Sequence, residues 1–130
     1  MAEGWARHAP DDELVLRPMS DGGPGFVEVV AEATDAELLD IPTTGPLGQD
    51  VTATIAVVDD AAYVEAALAC GLRRVPGKVR NPGHTTCFGV GQLIAAAVDA
   101  GASRIVVGLG GSATNDGGAG MPAALGAVAD

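Results

Sequence analysis

The chain has 130 residues, of which 48% are hydrophobic but only 3% aromatic, and it carries a net charge of −10 from 17 acidic and 7 basic residues. An apolar fraction this high excludes a disordered chain, while the Ala/Val/Leu-rich composition predicts a core of small side chains with modest burial per residue. The acidic balance argues against nucleic acid and against an anionic membrane surface, both of which need a basic face. It leaves room for a phosphate-bearing small molecule held by backbone amides and a divalent cation.

Residues 1–13 contain no apolar core of the kind a signal peptide needs, and the apolar stretch around Val90–Val98 is far shorter than a membrane span. Cys70 and Cys87 form no C-x-x-C pair and suggest no disulfide framework. A cytoplasmic location is the expectation.

Leu14–Leu16 reads as a short strand running into Pro18–Gly25, a glycine turn. A helix is expected to start near Gly23, with Pro24 in its first turn and Val27, Val30, Ala31 and Thr34 along one face. Thr43–Gly48 is a turn-rich connector. Val51–Val58 alternates, with Val51, Ala53, Ile55 and Val57 on one face; through a turn at Asp59-Asp60 it is expected to pair with a strand at Ala62–Leu68 as an antiparallel hairpin. Ala69–His84, rich in Gly and Pro, predicts an irregular loop.

Val90, Leu93, Ile94, Ala97 and Val98 make the clearest helical stripe, and Gly101 stands where a C′ glycine belongs. Arg104–Val107 has the continuous apolar character of a strand buried on both faces of a parallel sheet. It leads into Gly108–Gly118 and then a helix with Met121, Leu125 and Val128 on one face. The order implies an α/β fold: a Rossmann-like parallel sheet flanked by helices, with part of a second α/β domain containing a β-hairpin. The division is placed at residues 1–42 and 43–130.

Two segments share one layout, a strand followed by a glycine turn bearing an Asp and then a helix: Ser20–Gly25 and Gly108–Gly120. In open α/β sheets such turns lie at the carboxyl ends of strands, where helix N-termini attract anions and glycine permits close approach. Gly22, Gly23, Gly110, Gly111, Ser112, Thr114, Asn115, Gly117 and Gly118 are therefore the candidate phosphate- or substrate-binding residues. Asp21 and Asp116 are the candidates for holding Mg²⁺ or accepting a proton from an attacking hydroxyl. The plainer alternative makes Asp21-Gly22-Gly23 a tight turn and Asp116 a helix cap. Glu65 reads as a solvent-facing strand residue, and Thr85 and Thr86 as caps for the helix that follows. His84 and Cys87 have metal-compatible spacing without a second pair. Gly108–Ala113 also satisfies G-x-G-x-x-A, which makes a nicotinamide-binding oxidoreductase a rival reading.

Val107–Met121, continuing through Ala124-Leu125-Gly126, resembles the central signature of the bacterial two-domain glycerate kinases. Pro18–Gly25, Thr44–Gly48, Tyr63–Glu65 with Ala69–Leu72, and Arg80–Ile94 resemble further blocks of that family, in the family's order. The resemblance implies a kinase moving the γ-phosphoryl group of ATP to a hydroxyl of D-glycerate, with ATP and Mg²⁺ as cofactors. For Glu65 it implies a buried functional carboxylate, as the alternative to a solvent-facing strand residue. It also implies a longer parent protein, with a lysine-bearing segment ahead of these blocks and further family segments after them, so that the chain is expected to be an incomplete fragment, with a non-catalytic one as the alternative. The departures from the family pattern are Pro24 for Glu, Phe26 for Thr, Cys70 and Cys87 for Ser, Val90 for Thr and Gln92 for Glu.

Overall fold

The computed structural model describes residues 2–128; Met1, Ala129 and Asp130, at the outer ends of the two expected regions, lie outside them. The elements are α1 (Ala2–Ala6), α2 (Phe26–Ala33), β1 (Glu37–Thr44), β2 (Asp50–Val58), β3 (Ala61–Glu65), α3 (Ala66–Cys70), α4 (Phe88–Asp99), β4 (Arg104–Gly108) and α5 (Gly120–Ala124). The four strands form one sheet in the order β1-β2-β3-β4. Pairing is antiparallel from β1 to β3 and parallel between β3 and β4. The fold is α/β, with a mixed sheet in which parallel pairing is confined to one edge. The division between residues 42 and 43 falls within β1.

Helices cover both faces. Ala53, Ile55, Ala62 and Val64 turn one face of β2 and β3 toward Val90, Leu93 and Ala97 of α4, with Leu39, Ile41, Ile105 and Val107 extending the same layer. Alternation along each strand sends the neighbouring residues to the other face. There α2 lies over β2 and β3, and Phe26 packs edge-on against Tyr63 at a ring separation of 6.1 Å.

Several elements differ from their sequence reading, each for a physical reason. Leu14–Leu16 is no strand: no strand among the described residues pairs with it, and all three residues are exposed. The helix α2 starts at Phe26 rather than near Gly23, because Gly25 is left-handed (φ 94°) and keeps Pro24 in the preceding turn. Thr34, expected on the buried stripe, is instead the exposed C-terminal cap. β1 has no counterpart in the reading, since Pro42 and the turn residues behind it mask the alternation of Leu39, Ile41 and Thr43. The strand expected at Ala62–Leu68 stops at Glu65, because Ala66-Ala67-Leu68-Ala69 is made of strong helix formers and becomes α3.

β4 is buried on one face, not two. It is the outermost strand, so Ile105 and Val107 turn inward while Val106 stays 38% exposed. In α4 the buried stripe ends at Ala97, and Val98 is exposed. The last helix ends at Ala124, since Gly126 (φ 90°) breaks it and leaves Leu125 and Val128 exposed. The β2–β3 turn at Asp59-Asp60 and the C′ role of Gly101 (φ 91°) stand as read.

Candidate functional site

The register of the parallel pair sets Glu65 at the end of β3 opposite Gly108 at the end of β4. Both carboxyl ends therefore open at one place, and the two glycine segments meet there. The Gly110 amide donates to the Gly22 carbonyl at 2.9 Å. A Cβ on Gly110 would stand 2.6 Å from the Gly23 Cα, and one on Gly108 would stand 2.6 Å from the Gly22 carbonyl oxygen. Contacts this short exclude any side chain, so the approach itself demands glycine at 108 and 110, while Gly22 is required by its left-handed backbone (φ 83°).

The first loop does not present its amides to solvent as expected. Gly22 donates to Ser20 Oγ (3.1 Å) and Gly23 to Asp21 Oδ1 (3.0 Å), an Asx turn in which Asp21 is exposed. Gly25 and Val27, at the N-terminus of α2, donate to Glu65 Oε2 at 3.0 and 3.4 Å. The chain's own carboxylate thus occupies the place where an external anion would meet the helix dipole. Of the two readings left open for Glu65, the structure realises the buried one, at 2% exposure.

The second loop is pinned at several points. Leu72 donates to Gly111 O and Ala113 to Cys70 O, forming a bridge between Gly71 and Ser112; Asn115 donates to Pro82 O. The Thr85 hydroxyl, facing Pro82 O and Ala113 O at 2.9 and 2.8 Å, joins these loops instead of capping a helix. Thr86 does serve the helix end, where its hydroxyl accepts from the Phe88 amide. Within residues 111–118 the amides of Gly111, Ser112, Thr114, Asp116 and Gly117 have no protein acceptor among the described residues; those of Ser112, Thr114 and Gly117 are among the donors left for a ligand.

Asp116 lies at the junction of α4 and α5. Its Oδ2 accepts from the amides of Cys87 (2.8 Å) and Gly120 (3.3 Å) and from the Thr86 hydroxyl (3.3 Å), and its Oδ1 accepts from the Gly118 amide (3.2 Å). Burial works to raise its pKa, but the hydrogen bonds from the Cys87 amide and thiol and from Gly118 and Gly120 outweigh it and hold the carboxyl below the ordinary range. Burial pushes up the thiols of Cys70 and Cys87, the latter further through its hydrogen bond to Asp116. Both are therefore neutral thiols near pH 7 and weak nucleophiles.

The structure brings Gly22, Gly23, Gly110 and Gly111 together, with Asp21 in the same turn; Gly111 also abuts Pro24. Ser112, Thr114, Asn115, Gly117 and Gly118 follow the arc from that contact to the α4–α5 junction, where Asp116 sits. A groove of about 870 Å³ opens beside the loop contact, bordered by Pro24, Gly25, Glu65, Gly111, Leu38 and Arg73. Among the described residues no three His, Cys, Asp or Glu side chains cluster as a metal site, His84 and Cys87 included. The dinucleotide fingerprint fails on geometry: a helix should open at its glycines, whereas α5 begins only at Gly120.

Two roles had little sequence signal. Gln92 Oε1 accepts from the Thr43 hydroxyl and the Thr44 amide, both at 2.8 Å, so a neutral carbonyl fills a place where the family pattern has Glu. Arg74 ties α3 to β2 through Leu68 O (3.1 Å) and Thr52 O (2.8 Å). No helix of the described residues is long and apolar enough to cross a membrane.

A mixed sheet flanked by helices, with two glycine loops in contact at the carboxyl ends of its parallel strand pair, places the chain in the open α/β class. The chain belongs to the glycerate kinase family, whose family model matches residues 1–130. It is 50% identical over 125 residues to a glycerate kinase of Bacillus subtilis (strain 168), covering 95% of this chain and 33% of that protein. It is 46% identical over 127 residues to the glycerate 2-kinase of Escherichia coli K12, covering 96% and 33%. A crystal structure described as a glycerate kinase 2 from Salmonella typhimurium LT2 superposes with a TM-score of 0.80 at 45% identity, over 96% of this chain and 34% of that one. The chain thus spans about a third of the length of the relatives it matches.

Proposed function

We propose that this chain carries part of the catalytic centre of an ATP-dependent glycerate kinase, which transfers the γ-phosphoryl group to a hydroxyl of D-glycerate and yields phosphoglycerate and ADP. The observation that carries the reading is the Gly110–Gly22 hydrogen bond, which joins both glycine loops of a family member into one ligand-sized place. Phosphoryl transfer is catalysed mainly by positioning and charge stabilisation, and a rigid pair of loops beside a groove suits that task.

In this reading the amides of Ser112, Thr114 and Gly117 and the hydroxyl of Thr114 receive the anionic groups, with Asn115, Gly111 and Gly118 shaping the loop around them. Gly22, Gly23 and Gly110 provide the close approach. Asp21, exposed with only Oδ1 engaged by Gly23, takes the role of metal ligand or proton acceptor. A single carboxylate with substrate phosphates is a donor set that Mg²⁺ accepts, so the residues present fit that ion. When bound, the ion neutralises charge on the nucleotide phosphates. Asp116, committed to four donors, holds the loop against α4 and α5.

The test is ADP release by the purified chain with MgATP, followed with and without D-glycerate. Glycerate-dependent release that falls by about a hundredfold or more in Asp21→Asn, with unchanged thermal stability, supports the assignment. ATP turnover indifferent to glycerate overturns it. One observation favours a second reading, binding without turnover: residues 20–25 and 108–120 contain no Lys or Arg to stabilise transferring charge. Saturable MgATP binding without glycerate-dependent ADP release would select it.

A further inference from the structure

Glu65 is the point at which the two glycine loops are tied together. Its backbone ends β3 opposite Gly108, the residue from which the second loop departs. The same residue starts α3, whose far end meets that loop through Leu72 N to Gly111 O and Ala113 N to Cys70 O. Its side chain points the other way along the chain, to residues 38 and 40 positions earlier, where Oε2 accepts from Val27 and Gly25. These bonds fix where α2 begins, and with it the turn whose Gly22 carbonyl receives the Gly110 amide. Glu65 is 2% exposed, so water cannot substitute for either bond.

A carboxylate buried at a helix N-terminus in the middle of a ligand-binding end has two physical roles open to it: ligand contact, or registration of the loops. The committed Oε2 and the burial favour registration. We propose that Glu65 is a positioning residue, which sets the first glycine loop against the second without itself meeting the substrate; the proposal rests on the reading of these loops as the kinase site. Its carboxylate excludes an external anion from the α2 N-terminus and so directs the anionic parts of the substrates to the second loop.

Amide hydrogen exchange on the whole chain tests this, comparing Glu65→Ala and Glu65→Gln with the unaltered protein. In Glu65→Ala, exchange at Gly25, Val27 and Gly110 accelerates by about a hundredfold. In Glu65→Gln, which keeps an acceptor oxygen but loses charge assistance, the acceleration is about tenfold, a partial rescue. Leu93 and Ala97 in α4 keep their protection in both. Unchanged exchange at Gly110, or α4 amides accelerating in step with the loops, overturns the proposal. Should the Ala variant fail to fold, the Gln variant decides by the same two readings. ADP release indifferent to glycerate would remove the kinase reading yet leave this exchange pattern intact, so the two fail separately.

Discussion

Asp116 shows how one side chain can hold a loop in place: amides from Cys87, Gly118 and Gly120 and the Thr86 hydroxyl all converge on it. Replacing it with Ala leaves partly buried donors without an acceptor and is expected to cost about 2–3 kcal/mol in urea unfolding. The pH dependence follows from the direction of its shift. A carboxyl held below its ordinary value stabilises the folded state above the unfolded pKa, and that contribution is lost as pH falls through the folded value. The stability difference between the native chain and Asp116→Asn should therefore be constant above about pH 5 and shrink below about pH 4. A difference that grows on acidification would contradict the hydrogen-bonding account. Exposed Asp60, paired with Arg104 at 3.8 Å, is expected to contribute little by comparison.

Among the elements, the glycine loops depend on backbone approach more than on side chains. Gly110→Ala places a Cβ 2.6 Å from the Gly23 Cα, where only backbone can yield, and is expected to destabilise by about 2–3 kcal/mol while separating the loops. Loss of the Gly110 amide's protection from exchange would report that separation. The second loop was legible because five glycines interleaved with Ser, Thr, Asn and Asp exceed what a turn needs, and the first by its matching layout of a glycine turn bearing an Asp ahead of a helix. The sequence did not disclose that the amides of Gly25 and Val27 at the start of α2 are already satisfied, since their acceptor, Glu65, lies 40 and 38 residues away. α4 was readable from its own apolar stripe. β1 was hidden because Pro42 interrupts its pattern, and tertiary pairing with β2 through all eight residues supplies what local propensity lacks. The reading of β4 as doubly buried failed because an apolar run records the residue types available and carries no information about which strand ends up outermost.

For the molecule as a whole, one small-residue core carries the fold. Leu93 is fully buried at its centre, between α4 and the sheet, with Ile55 and Val64 as the other large side chains. With Ala lining much of the remainder, little can collapse into a void, and Leu93→Ala is expected to cost about 3–5 kcal/mol in equilibrium unfolding. Such a loss is a large part of the stability of a domain of this size and should unfold regions on both faces of the sheet together. The account as a whole stands on the two glycine loops acting as one ligand site at the carboxyl end of β3 and β4. The most direct measurement is a titration of the isotopically labelled chain with MgATP and D-glycerate, followed by amide resonances. The account predicts saturable shifts concentrated at Ser20–Gly23 and Gly110–Gly118, with α1 and the β1–β2 turn unaffected. Shifts confined to one of the two loops, or centred elsewhere on the molecule, would contradict it.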